Sequence, residues 1–234
     1  MNPTKTYYDD VLYGNRLRRC YELAPPRIQQ YLAAEIAYVL QHLLPGGRVL
    51  ELGCGYGRVL ARLADGTKDI FGIDISLDNI KLAGQLLAGI PRCRLFVMDA
   101  VKLACRDKFF DQVVCIQNGI SAFHVDPVAL IQESIRVTKE CGQIIFSSYS
   151  PRIWPERIKW FKVQAEAGLI GTIDWQQTKD GTIVCHDGFS ATTVTPKQFY
   201  ALARDLPVRA AVEEVDGSSI FCVLNLTKDP QERG

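Results

Sequence analysis

The sequence predicts an α/β fold built on a Rossmann-like, doubly wound and mostly parallel sheet. Segments with the pattern of buried strands alternate with helix-like segments from residue 48 to residue 149. This alternation is typical of a parallel sheet whose two faces are covered by helices. A glycine-rich turn, Gly53 to Gly57, follows the first of these strands. Because ligands of such sheets bind beyond the carboxyl ends of the strands, we expect the functional site there.

The predicted elements begin with a long helix. Apolar residues recur at helical spacing from Pro26 to Leu44, and Pro45-Gly46-Gly47 ends this helix. Short apolar runs beyond it predict strands, and the amphipathic segments between the runs predict helices. The predicted strands are 48–53, 69–74, 93–98, 111–116 and 142–149, and the predicted helices are 57–65, 76–89 and 126–139.

The pattern changes after Pro151, where an aromatic segment begins. Asp180-Gly181 predicts the turn of a hairpin between residues 172–177 and 182–188. A helix is expected after Pro196. Two apolar strands, 208–215 and 219–226, then complete a seven-stranded sheet with an antiparallel C-terminal strand.

Composition narrows the class of protein. Lys and Arg total 27 against 26 Asp and Glu, so the net charge of +1 gives no strong field for nucleic acid or an anionic membrane. The N-terminus lacks a signal-peptide pattern, and no segment reaches the roughly 18 apolar residues of a membrane span. We therefore expect a soluble, cytoplasmic protein. Eight cysteines without CxxC spacing and three isolated histidines predict buried reduced thiols and no metal site.

The glycine turn indicates a ligand that contains adenosine. Glycines in GxGxG spacing let a ligand lie directly on main-chain N–H groups. Asp74 ends the next strand about twenty residues further on, where a carboxylate accepts hydrogen bonds from both ribose hydroxyls. Nucleotide-dependent dehydrogenases share this pairing, but their third glycine falls where this chain has Arg58. The dehydrogenase alternative is therefore weakened.

The chain resembles the class I S-adenosylmethionine-dependent methyltransferases of the small-molecule type. The resemblance covers about 100 residues and rests on five motifs in family order. The motifs are ELGCGYGR (51–58), GIDIS (72–76), FVMDA (96–100), FDQVVCIQNGIS (110–121) and the strand after ECGQ (140–143).

This resemblance assigns a set of residues to the cofactor S-adenosylmethionine. The methionine portion would lie on the glycine turn, with Glu51 holding its ammonium group. Asp74 would bind the ribose hydroxyls, and Gln117 and Asn118 would lie beneath the sulfur. The full set is Glu51, Gly53, Cys54, Gly55, Gly57, Asp74, Ile75, Asp99, Ala100, Gln117 and Asn118.

The resemblance also implies the activity, which is transfer of a methyl group to a small-molecule acceptor by in-line displacement. Methylation of RNA or protein is one alternative, and a non-catalytic adenosylmethionine-binding protein is another. We expect a single domain over residues 1–234. Its parts are an N-terminal helical lid (1–44), a cofactor-binding core (45–150), a substrate-cap insertion (151–195) and the C-terminal part of the sheet (196–234).

Two residues are candidates for catalysis. His124 lies in the loop QNGISAFHVDP, where an acceptor must approach, and an imidazole there accepts a proton. A loop histidine with local hydrogen bonds is the alternative. Tyr8, beside Tyr7, lies in a segment that loosely resembles the lid of small-molecule members, and a tyrosine ring attracts a cation. Simple packing is the alternative for both tyrosines. Asp126 fits a helix N-cap better than a catalytic role.

Several other residues have two interpretations. Arg16, Arg18 and Arg19 either pair with an acidic group of a ligand or form a solvated helix face. The aromatic residues of the insertion either overhang the acceptor or form a satellite core; they are Trp154, Trp160, Phe161 and Trp175. Tyr149 and His186 are further candidates for the acceptor site.

Overall fold

A seven-stranded sheet is the centre of the molecule. The computed structural model describes residues 7–227, with the side chain of Asp9 excepted. The strands of this part are β1 (Arg48–Leu52), β2 (Asp69–Asp74), β3 (Cys93–Val97), β4 (Phe110–Cys115), β5 (Thr138–Tyr149), β6 (Ile183–Val184), β7 (Ser190–Ala191), β8 (Val208–Val215) and β9 (Ser219–Leu226). The main sheet has the order β3-β2-β1-β4-β5-β9-β8, and β6 pairs with β7 in a separate ribbon.

The main sheet has the predicted class of topology. Strands β1 to β5 are parallel to one another, and β9 runs antiparallel to its two neighbours, β5 and β8. The prediction of a mostly parallel, Rossmann-like sheet with an antiparallel C-terminal strand is therefore confirmed. The order places β1 and β4 side by side although two strands separate them in the sequence. Ligands bind at this kind of switch point.

Helices surround the sheet. They are α1 (Tyr7–Asp10), α2 (Gly14–Glu22), α3 (Pro26–Gln41), α4 (Arg58–Leu63), α5 (Leu77–Leu86), α6 (Gly119–Ala122), α7 (Pro127–Val137), α8 (Trp154–Glu166) and α9 (Pro196–Ala203). Proline occupies the first position of α3, α7 and α9, where its missing N–H costs nothing. No described helix has the length and apolar character that would let it cross a bilayer.

Alternation along the strands divides the core between the two faces. Leu50 of β1 points to the face covered by α7 and α9, and Val49 points to the face covered by α3, α4 and α5. Both side chains are at most 1% exposed. This packing fixes the carboxyl ends of β1, β2 and β4, and the loops that follow those ends carry the site.

A third apolar cluster joins the N-terminal helices to the insertion after β5. It combines Leu12 and Cys20 around α2, Tyr31 of α3, and Trp160 and Phe189 of the insertion. The indole Nε1 of Trp160 donates a hydrogen bond of 2.9 Å to the carbonyl of Cys20. We call this cluster the cap core. The N-terminal helices and the insertion thus pack as one layer beside the sheet.

The insertion differs from its predicted form. Lys179 and Thr182 exchange both backbone hydrogen bonds around Asp180-Gly181, so the predicted turn is present. Only one further bridge, between Ile173 and Cys185, joins the two predicted arms within the described residues, because Ile183–Val184 pairs with Ser190–Ala191 instead. Helix α8 occupies the aromatic segment, to which the sequence pattern assigned no element.

Candidate active site

The glycine turn connects β1 to α4 in a conformation that side chains disfavour. Gly53 and Gly55 have φ angles of +67° and +53°. A Cβ atom on Gly53 would lie 2.5 Å from the ring of Phe123, and one on Gly55 would lie 3.3 Å from Leu17. Glycine is therefore required both by the backbone angle and by the close approach of these two side chains.

A cavity of about 300 Å³ opens over this turn. It lies at the carboxyl ends of β1, β2 and β4, as the fold class predicts. Most of the residues predicted from the sequence line it together: Tyr8, Glu51, Gly53, Cys54, Gly55, Asp74, Ile75, Asp99, Ala100, Gln117 and His124.

Two of the predicted cofactor residues, Gly57 and Asn118, lie outside this lining. A Cβ atom on Gly57 would lie 2.9 Å from Leu87 and 3.2 Å from the Cβ of Ala83, so this glycine lets α4 pack closely against α5. The side chain of Asn118 donates to the carbonyl of Thr192 and accepts from Ser148, at 2.9 and 2.8 Å. Both residues have structural partners that account for them.

Asp74 is held rigidly at the end of β2. Its Oδ2 accepts a hydrogen bond of 2.9 Å from the N–H of Gly55. Its Oδ1 accepts from the N–H of Ser76 at 2.9 Å and from Nδ2 of Asn79 at 3.0 Å. The side chain is buried and still lines the cavity. These bonds orient the carboxylate that the sequence assigns to the ribose.

Glu51 supplies an unusual acid to the cavity. It is 4% exposed, and its Oε2 atom makes no hydrogen bond within the described part of the chain. Burial raises the pKa of Glu51 to about 8, although nearby Arg58 acts in the opposite direction. A buried acid without a full set of partners needs a cationic or hydrogen-bond donating ligand. The ammonium group of S-adenosylmethionine fits this requirement.

Arg58 is a site residue whose role the sequence reasoning missed. Its guanidinium lies 4.8 Å from the centre of the Tyr21 ring, and it lines the cavity. Its Nη2 atom is buried and has no hydrogen-bond partner among residues 7–227. A guanidinium beside a glycine turn suits a carboxylate such as that of the methionine portion. The sequence feature that could have indicated this role is the position of Arg58 directly after the glycine turn.

The adenine end of the cavity is formed by the residues after β2 and β3. Ile75 is 40% exposed, so its side chain offers an open apolar surface to a planar ring. Asp99 accepts a hydrogen bond of 3.0 Å from the N–H of Val101, and Ala100 and Met98 complete the wall. These residues fit the assignment that the resemblance implies.

Gln117 reaches the cavity from a strained turn. Gln117 and Asn118 have φ angles of +58° and +64°, in the left-handed region. The N–H of Gln117 donates both to Oε2 of Glu35 and to Oγ of Ser147, at 2.7 and 2.8 Å. The side-chain Nε2 of Gln117 is buried and has no partner among the described residues. This donor is available to a ligand oxygen.

The two catalytic candidates line the cavity from different elements. His124, with φ +53°, is exposed at the edge of the cavity. Tyr8 comes from the lid and contacts Phe189 edge to face at 6.4 Å. Burial raises the pKa of the Tyr8 hydroxyl, so it keeps its proton and is not a base. The Cys54 thiol is also held protonated, because burial raises its pKa well above the usual range.

Most of the residues for which the sequence left both a ligand-binding and a structural interpretation have partners within the protein. Arg16 donates to the carbonyls of Gly168 and Leu169, and Arg18 and Arg19 pair with Glu22 on an exposed face. Asp126 caps α7 as expected, accepting a hydrogen bond from the N–H of Val128. The remainder divide between the cap core and the surface. Trp160 and Phe161 belong to the cap core with Tyr149, Trp154 packs against it, and Trp175 and His186 are exposed.

The walls facing the glycine turn contain residues that sequence reasoning missed. Leu17 and Tyr21 come from the lid helix α2, and Phe123 and Val125 come from the loop after α6. No described residue from 151 to 195 lines the cavity, so the insertion supports the lid from behind. Within the same described part, no three metal-ligating side chains form a cluster.

The fold and the cavity define a protein that binds an adenosyl cofactor carrying an ammonium group. A family model described as a methyltransferase domain matches residues 49–142. The 2-methyl-6-phytyl-1,4-hydroquinone methyltransferase of Synechocystis sp. is 30% identical over 154 residues, which are 61% of this chain and 47% of that relative. The chain spans about half the length of the curated relatives that it matches.

Solved structures agree in fold. A protein of Pyrococcus horikoshii OT3 is similar at a TM-score of 0.65 and 24% identity, over 94% of this chain and 95% of the other. The 1,6-didemethyltoxoflavin-N1-methyltransferase of Burkholderia thailandensis, with S-adenosylhomocysteine bound, is similar at a TM-score of 0.59 and 14% identity, over 82% and 76%. Residues 49–142 are thus similar to a methyltransferase domain, and the fold is similar to that of S-adenosylmethionine-dependent methyltransferases; together these similarities support S-adenosylmethionine as the cofactor.

Proposed function

We propose that this protein methylates a small aromatic acceptor that carries a ring hydroxyl group. The observation that carries this proposal is the part of the cavity lining that comes from the lid and from the loop after α6. It consists of the rings of Tyr8, Tyr21 and Phe123, together with the aliphatic side chains of Leu17 and Val125. A planar apolar ring packs well on such side chains. The name of the Synechocystis relative, a hydroquinone methyltransferase, supports an acceptor of this class.

The polar groups on the acceptor side suit a hydroxyl group. The buried Nε2 of Gln117 donates to the acceptor oxygen, which orients the ring. His124 takes the hydroxyl proton as the oxygen becomes a nucleophile. When bound, S-adenosylmethionine supplies a methyl group on a positively charged sulfur. Leu17 and Phe123, which cover the glycine turn, exclude water from that region.

An acceptor screen tests this proposal. Purified protein receives a labelled methyl donor with hydroquinones, catechols and phenols in one arm, and with bulk RNA, protein and aliphatic amines in the other. We expect labelled product only with the ring hydroxyl compounds. Exclusive labelling of RNA, protein or aliphatic amines would overturn the acceptor class. Cofactor binding without any turnover would favour a non-catalytic binding protein.

Substitution of His124 tests its role as the base. We expect His124→Ala to lower kcat about 100-fold for a hydroxyl acceptor, which is a typical contribution of general-base catalysis. His186→Ala is a matched control, because His186 is an exposed histidine outside the cavity. An unchanged pH–rate profile in His124→Ala would show that another group takes the proton.

A further inference from the structure

Helix α2 of the lid is joined to the sheet domain by a buried hydrogen bond at its first residue. The N–H of Gly14 donates to Oδ1 of Asn79, on α5, over 2.7 Å. Gly14 has a φ angle of +57°, which turns its N–H away from the normal helical direction. Asn79 is only 2% exposed. Water therefore does not replace this bond while the lid is in place.

The same amide group also contacts Asp74, the residue that is predicted to bind the ribose. Nδ2 of Asn79 donates to Oδ1 of Asp74 over 3.0 Å. Only a side chain with one acceptor and one donor serves both partners, because a main-chain N–H needs an acceptor and a carboxylate needs a donor. Asn79 therefore links Gly14 of the lid to Asp74 of the cofactor site through one planar group.

Movement of α2 would change the cavity directly. Leu17, one turn after Gly14, lies 3.3 Å from the position of a Cβ atom on Gly55. Tyr21, one turn further along, lines the cavity and lies under the guanidinium of Arg58. The helix held by Asn79 thus covers the glycine turn and one wall of the site.

We propose that Asn79 is a positioning residue that couples closure of the lid to binding of the cofactor ribose. With the lid closed, Gly14 fixes the orientation of the Asn79 amide, and the amide fixes Asp74 for the ribose. Because coupling free energies are reciprocal, a ribose bound to Asp74 stabilises the closed lid to the same extent. The inference rests on the cofactor site and not on the proposed acceptor.

Two substitutions separate the two halves of this link. Asn79→Ala removes both hydrogen bonds. Asn79→Asp keeps an acceptor for Gly14 but loses the donor to Asp74 and places a like charge beside it. Asp78→Ala is the matched control, because Asp78 lies on the same turn of α5 and, among residues 7–227, its carboxylate pairs with Lys81 at the surface.

The measurement is amide hydrogen exchange in residues 14–23, with and without S-adenosylhomocysteine, together with calorimetric affinity for that ligand. We expect saturating ligand to slow exchange there at least tenfold in the wild type and in Asp78→Ala. In Asn79→Ala the affinity should fall about tenfold, and saturating ligand should no longer slow exchange in this segment. Asn79→Asp should bind the ligand more weakly than Asn79→Ala.

The outcomes are distinct. Full protection of residues 14–23 by saturating ligand in either Asn79 variant would overturn the coupling and leave Asn79 a merely structural residue. If Asn79→Ala does not fold, Asn79→Asp decides the question alone. A wild-type protein that binds no S-adenosylhomocysteine would overturn both the coupling and the cofactor assignment. A failed acceptor screen would leave this experiment unaffected.

Discussion

Glu51 shows how one buried residue connects folding to ligand binding. Its carboxyl group is surrounded by β1 and the glycine turn, and burial holds its pKa near 8. The folded protein without a ligand therefore keeps this group largely neutral at pH 7. The ammonium group of the cofactor favours the ionised form, so binding and loss of this proton are linked.

Stability without the cofactor should fall as pH rises. The folded pKa of Glu51 is about 8, above the ordinary value of 4.5, so its contribution is full below pH 4.5 and is lost as pH rises through 8. Between pH 6 and pH 8 we expect the contribution of Glu51 alone to the free energy of unfolding to fall by about 2 kcal/mol.

Urea titrations of the wild type and Glu51→Gln at both pH values measure this loss. Most of this loss should be absent in Glu51→Gln, because the isosteric glutamine does not ionise. A smaller decrease should remain in the variant, because burial also raises the pKa of Glu35, to about 7. Equal pH dependence in the two proteins would contradict the assignment to Glu51.

The sequence identified residues such as Glu51 and Asp74 because their chemistry depends on motif position. It did not distinguish the purposes of the glycines. Gly53 and Gly55 lie under the cavity, whereas Gly57 allows α4 to approach α5. A bound ligand and a closely packed helix both require a residue without a Cβ atom, which is glycine. The spacing of the glycines alone therefore does not show which of the two purposes each glycine serves. Asn118 lies outside the cavity lining and hydrogen-bonds to Thr192 and Ser148, so its predicted place beneath the sulfur stays a prediction.

At the scale of elements, the turn after β4 connects three parts of the structure. Gln117 and Asn118 adopt left-handed backbone conformations that cost free energy for residues other than glycine. Glu35 of α3, Ser147 of β5 and Thr192 after β7 hold this turn through hydrogen bonds. The strain is thereby located where Gln117 lines the cavity.

Substitution of Asn118 measures how much the hydrogen bonds and the backbone conformation of this turn contribute to the free energy of unfolding. We expect Asn118→Ala to lower the free energy of unfolding by about 2–4 kcal/mol, through lost buried hydrogen bonds and a left-handed alanine. Asn118→Gly loses the same bonds without the steric penalty, so it should cost about 1 kcal/mol less. Chemical denaturation of the three proteins gives the comparison. An alanine variant as stable as the glycine variant would show that the turn relaxes freely.

The elements of the sheet were predictable because strand and helix periods are strong along residues 48–149. The predicted bounds of 69–74, 208–215 and 219–226 match β2, β8 and β9. Helix α8 was missed because apolar residues on several sides weaken its amphipathic pattern and its aromatic residues mask it. Beyond the turn, the arms of the predicted hairpin are joined by one bridge within the described residues, and the side chains of Ile173, Ile183 and Cys185 pack into the cap core, a tertiary effect that local pattern does not contain.

At the scale of the whole molecule, the insertion supports the lid. Arg16 binds two carbonyls of the insertion, and Trp160 binds the carbonyl of Cys20. The hydroxyl of Tyr7 donates to Asp187 over 2.5 Å. Because the lid supplies Tyr8, Leu17 and Tyr21 to the cavity, the insertion supports this part of the lining without lining the cavity itself.

Removal of the Trp160 side chain should therefore affect both stability and binding. We expect Trp160→Ala to lower the free energy of unfolding by about 3–5 kcal/mol, as for other buried aromatic truncations. Affinity for S-adenosylhomocysteine should fall as well, because the lid loses its support. Trp175→Ala is the control, since Trp175 is 59% exposed, and it should change stability by less than about 0.5 kcal/mol. Unchanged ligand affinity in Trp160→Ala would show that packing of the insertion against the lid does not contribute to ligand binding.

The cap core also has a consequence for the order of events during synthesis. Its N-terminal members lie between Leu12 and Leu32, and its last members lie near Ala191. A ribosome that adds about 5–20 residues per second leaves roughly 10–30 s between the emergence of these two groups. The apolar faces of α2 and α3 therefore leave the ribosome long before their partners exist. The growing chain is exposed to misassembly during this interval, because the lid gains its final packing only after the insertion has been synthesised.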